Sequence, residues 1–140
     1  MKRSIANLCI VLMLLLSFSF AATFVRGGAR GSAVSMGIED CNDLSWDYWS
    51  TGYGVELTTG PCAVLGYLSF NKIIAKAADK VPVYLSFGPV LGAGATVSAG
   101  GFMHLGFDNI FDTQRMFAEL GVEAMTPRGT GVCLELGYRL

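Results

Sequence analysis

This sequence predicts an all-β fold, an antiparallel up-and-down β-barrel of about eight strands. Three observations carry that expectation. Apolar residues recur at every second position through most of the chain, the period of a strand with two unlike faces. The 140 residues include 18 glycines, with only 15% charged and 52% hydrophobic residues; soluble domains average about 25% charged, and so much glycine disfavours a helical bundle. The chain also ends on a strict alternation, "GVCLELGYRL", which sets Leu134, Leu136, Tyr138 and Leu140 against Glu135, Gly137 and Arg139.

Taken in order, the first element is a leader. Lys2 and Arg3 precede an apolar run at 8–16, and Ser19-Phe20-Ala21 places small residues at the minus-three and minus-one positions. This is the pattern of a secretory signal peptide over 1–21, with cleavage after Ala21. A permanent anchor needs about 20 apolar residues, and Ser17 and Ser19 interrupt a shorter run. Cys9 lies inside that run without the small-residue context of a lipoprotein, so no lipid anchor is expected. One domain remains, over 22–140.

A Gly/Arg-rich lead-in at 26–31 precedes a strand at 33–39, with Val34, Met36 and Ile38 on one face and Ser35, Gly37 and Glu39 on the other. A short candidate follows at 44–49. At 52–58, Tyr53, Val55 and Leu57 oppose Gly54, Glu56 and Thr58, and Thr59-Gly60-Pro61 marks a turn into a strand at 62–70. "NKIIAKAADK" at 71–80 breaks the period: an Asn in N-cap position and the spacing of Ile73, Ile74 and Ala77 predict a short helix or a long turn. Alternation resumes at Pro82 with Val83, Leu85 and Phe87, and again at 96–108, where Met103, Leu105 and Phe107 oppose His104, Gly106 and Asp108. The cleanest case is 115–125: Met116, Ala118, Leu120, Val122 and Ala124 against Arg115, Phe117, Glu119, Gly121 and Glu123. A turn at 126–129 leads into the closing strand. Residues 81–107 carry no charged side chain, long enough for a membrane helix, but their glycines, prolines and period of two argue for strands.

A soluble barrel of lipocalin type shares this alternation, so the polar face has to decide. It is largely Gly, Ser and Ala with isolated charges, a content that suits a narrow lumen filled by side chains rather than a face in bulk water. The apolar face then meets lipid, which a sheet can cross only when closed. Inside, Arg115 and Arg139 are expected to pair with Glu119, Glu123 and Glu135, and His104 with a neighbouring acid. Trp46, Tyr48, Trp49 and Tyr53 form either an interfacial aromatic girdle or ordinary packing.

"VPVYLSFGP", "GGFMHLGF", "MFAELGVEAMTP" and "GVCLELGYRL" resemble successive strands of small bacterial outer-membrane β-barrels, the OmpA-type and OmpX-type transmembrane domains. Those end on a strand with alternate apolar residues and a terminal aromatic; here Tyr138 supplies the aromatic and Leu140 is last. The resemblance implies a location in the outer membrane, with the lipid bilayer and the outer-membrane assembly machinery as partners. It departs from the family in placing its longer connections on the side of the C-terminus, where typical members have short turns.

Other functions are disfavoured. A net charge of -1 and no basic stripe exclude a nucleic-acid footprint. His104 and Asp108 with a serine would suggest catalysis, but four strand residues span about 13 Å, beyond hydrogen-bond reach, so no enzymatic activity is expected. No Cys/His spacing points to a metal, and no cofactor is expected. Outside the leader lie Cys41, Cys62 and Cys133; Cys41 and Cys62, each at a strand end, are the candidate disulfide, against three reduced thiols packed as small hydrophobes. An eight-stranded interior holds side chains and leaves no open pore. The expectation is a small monomeric outer-membrane barrel with a structural or membrane-integrity role. Its rival is a soluble periplasmic or secreted barrel whose Leu120, Val122, Leu136 and Tyr138 line an apolar ligand cavity.

Overall fold

The computed structural model describes residues 24–140, in which eight antiparallel strands close into one barrel with each strand paired to its sequence neighbours. The predicted signal peptide lies outside the described residues. The strands are β1 (Phe24–Arg30), β2 (Ala33–Cys41), β3 (Ser50–Thr58), β4 (Val64–Ala78), β5 (Val81–Ala93), β6 (Ser98–Asp108), β7 (Met116–Thr126) and β8 (Gly129–Arg139). Closure is complete: β8 returns to β1 from Phe24↔Arg139 to Arg30↔Cys133, so neither terminal strand is left with an open edge.

The predicted number of strands holds, but its members change. The lead-in is β1, because β2 and β8 flank it and take up its backbone groups along its whole length. Residues 44–49 form a loop, whose Ser45 carbonyl accepts a hydrogen bond from the Ile73 amide at 2.9 Å. The segment 71–80 is neither helix nor turn; it continues β4, paired to β5 as far as Ala78↔Val81. Two register shifts, between Ile73 and Ala75 and between Lys76 and Ala78, explain the lost alternation, because each extra residue swaps the faces of those that follow.

The barrel ends differ. One holds the start of β1, the end of β8, the loops at 42–49 and 109–115 and the tip of the β4–β5 hairpin, and is called the terminal end below; the other has, among the described residues, only the connections at 31–32, 59–63, 94–97 and 127–128. Past Asn71, which pairs with the first residue of β3, the hairpin projects beyond the rim.

Alternation sorts the side chains with few exceptions. Val34, Met36, Leu57, Leu68, Leu91, Met103, Leu120 and Leu134 point outward and are each more than half exposed. Charged strand residues on the outside are confined to Asp40, Lys72 and Lys76, all at the terminal end. Inward, three aromatic rings cover glycines paired with them on a neighbouring strand: Tyr67 on Gly54, Tyr84 on Gly106 and Phe117 on Gly137. A methyl group at any of these glycines would overlap the ring. Gly106→Ala is therefore expected to destabilise the barrel by about 1–3 kcal/mol, the usual cost of overpacking. Gly131→Ala, whose new methyl meets nothing nearer than 3.7 Å, should be nearly neutral; urea midpoints of the refolded proteins check both.

Candidate functional site

The interior is built around two arginines of β1. Their positions follow from the strand period: Arg26, Gly28 and Arg30 face inward, leaving only Val25, Gly27 and Ala29 outside. Arg26 is buried against four glutamates. It donates to Glu39 and Glu135, donates to Glu119 at 2.6 Å, and its Nε lies 3.3 Å from Glu56. Its guanidinium also sits 5.3 Å from the Tyr67 ring centre and 5.9 Å from that of Phe117, within cation–π range. Arg30 forks onto Glu56 through Nε and Nη2 at 2.7 and 2.8 Å, donates to Glu123, and lies 2.9 Å from Glu135.

Hydroxyl groups and an imidazole complete the network. Tyr84 donates to Glu119 at 2.8 Å, Tyr67 and Ser69 each donate to Glu39 at 3.1 Å, and His104 Nδ1 is 3.0 Å from Glu119. Glu119 and Glu135 stand directly opposite each other on β7 and β8. Like charges so placed repel, and Arg26 Nη2 bridges both carboxylates.

Of the predicted lumen charges, His104, Glu119, Glu123 and Glu135 are buried inside and lie in one network. The two predicted cations are not in it. Arg115 precedes the first residue of β7, so strand alternation does not reach it; it is exposed and its Nη1 is 3.4 Å from the Tyr138 hydroxyl. Arg139 is at the rim, 3.4 Å from Asp108 and over the Phe24 ring at 5.1 Å. The cations that do the pairing, Arg26 and Arg30, were hidden because their glycine-rich setting reads as a lead-in; the signal available was their spacing of four, one strand face apart by two steps.

The candidate disulfide is also corrected. Cys41 ends β2 at the terminal rim and Cys62 lies in the β3–β4 connection at the opposite rim, so no bridge can span them, and both are free thiols. Thiol titration of the unfolded chain, with the leader removed, is expected to give equal values with and without reductant.

His104 and Asp108 both face inward yet take different partners, Glu119 and Arg139. Leu120, Val122, Leu136 and Tyr138 point outward, between 44% and 52% exposed, and line no interior cavity. A recess of about 220 Å³ opens at the short-turn end between Arg30, Ser32, Glu123, Arg128 and Cys133. Below it lie the buried Arg26 and Arg30 with their ion-paired glutamates. Trp46, Tyr48 and Trp49 are exposed at the terminal rim, where Trp49 packs edge-on to Phe87 at 5.2 Å and carries Lys72 at 5.9 Å.

Comparison of the chain with protein-family models, with curated proteins and with solved structures finds no match in any of the three.

Proposed function

We propose that this chain is a small bacterial outer-membrane barrel, exported by its leader, with a structural, membrane-integrity role and no open pore. One observation carries the reading: a closed sheet presents apolar side chains around its outer face, with outward strand charges only at the terminal rim, and gathers five glutamates and two arginines into one ion-paired network inside. A monomer in water rarely exposes a contiguous apolar patch above a few hundred Å², whereas lipid demands such a belt. β2, β3, β6, β7 and β8 have 9 or 11 residues, matching the roughly 9–11 needed to cross hydrocarbon at a tilt. The aromatic and lysine cluster at the terminal rim suits the interfacial layer, and the side-chain-filled lumen favours sealing over conduction. In this reading the lipid bilayer and the outer-membrane assembly machinery are its partners, the resemblance to OmpA-type and OmpX-type domains is one of architecture, and the protein is monomeric and not an enzyme.

Expression with the leader intact, followed by membrane fractionation and electrophoresis with and without boiling, tests this reading. The protein should leave with outer-membrane vesicles and migrate faster unboiled. Recovery in the soluble periplasmic fraction would overturn it and favour the soluble barrel.

A further inference from the structure

Among the described residues, five buried glutamates (Glu39, Glu56, Glu119, Glu123, Glu135) face two buried arginines. In a closed interior an unmatched carboxylate costs several kcal/mol, so the lumen has room electrostatically for further positive charge. Where that charge would sit is marked by three side chains from consecutive strands: His104 on β6, Glu119 on β7 and Glu135 on β8. Each offers a ligand atom within 4.8 Å of the other two, and exposures of 1%, 4% and 1% place all three in the interior. A second observation points the same way. Nε2 of His104 is buried without a hydrogen-bond partner, a polar atom that a water or a bound ion would satisfy. Gly121 keeps the place open for the ring, since a methyl there would overlap the imidazole.

We propose that His104, Glu119 and Glu135 bind one divalent cation inside the barrel. A nitrogen with carboxylate oxygens suits a borderline first-row ion such as Zn²⁺, and a hard cation such as Ca²⁺ far less. Arg26 is the competitor, because its Nη2 bridges the same two carboxylates. It keeps Glu39 and Glu56 when the ion takes them, so the exchange leaves no guanidinium unpaired. Sequence spacing could not suggest this site, because strand pairing assembles it from residues on three different strands.

The test uses the untagged, metal-stripped barrel refolded in detergent. His104 is the chain's one histidine, so ¹⁵N-histidine labelling reads the site alone in the unmutated protein. Zn²⁺ is expected to shift or move into slow exchange the two ring-nitrogen signals at one equivalent, and Co²⁺ to give a saturable visible absorption. Glu135→Gln should weaken Co²⁺ binding about 100-fold, at or above the range seen when a supporting group of a metal site is lost, while Glu123→Gln, which removes charge but no ligand, should weaken it less than about tenfold on the same scale. Unshifted histidine signals under excess Zn²⁺ would overturn the site, and equal losses in the two glutamine variants would reduce it to diffuse attraction by a negative lumen.

Discussion

Arg26→Met is expected to destabilise the barrel by about 3–5 kcal/mol, the cost of removing one partner from a buried ion pair. The substitution keeps length and apolar stem but strands Glu39 and Glu119, whose only arginine partner is that guanidinium, and leaves Glu135 to Arg30 alone. Arg30 cannot replace it; its three nitrogens are already committed to Glu56, Glu123 and Glu135. Arg26→Lys should recover only part of the loss, because a single ammonium lacks the planar fork that serves several carboxylates at once. Urea unfolding of refolded protein, followed by emission from Trp46 and Trp49 and by the gel shift on boiling, measures the effect. A midpoint equal to that of the unmutated barrel would show that the ion pairs do not hold the lumen together.

Leu120→Arg is the second large effect, and it separates lipid from water as the outer solvent. Leu120 lies near the middle of β7, pairs with Leu105 and Leu134, and is 52% exposed. If lipid covers it, an arginine there costs about 2–4 kcal/mol, the penalty at the bilayer midplane. In water the same change would be within about 0.5 kcal/mol, as for surface substitutions generally. Folding into vesicles, compared with Gln114→Arg in the exposed loop at the rim, gives the difference directly; a neutral Leu120→Arg would count against the membrane reading.

What the sequence disclosed depended on whether each local pattern was a strand property. Glu119 and Leu120 could be sorted to opposite faces because β7 is regular throughout, and the same holds for Glu135 and Leu136 in β8. Arg115 failed because the alternation was extended one residue past the start of the strand, to a side chain that sits outside. Arg26 and Arg30 were missed for the opposite reason: Gly27, Gly28 and Ala29 supply no apolar signal, so a strand held by its neighbours looked like a linker. The stretch 71–80 lost its period to two bulges, which no single-sequence pattern marks. Cys41 and Cys62 looked like partners only until the strand order put them at opposite rims. The lumen cluster is thus half legible: its acids follow from period alone, while the spacing of Arg26 and Arg30 gains meaning only once closure makes their segment a strand.

The central claim is that the apolar outer face meets lipid. Single-cysteine labelling at Leu120 and Ser32, on a background with Cys41, Cys62 and Cys133 replaced and the leader cleaved, tests it most directly in intact membranes. Ser32, exposed in the short β1–β2 turn, should react with a charged, water-soluble maleimide, while position 120 should react only with a lipid-phase probe. Rapid labelling of position 120 by the charged reagent, in protein that still shifts on boiling, would contradict the claim.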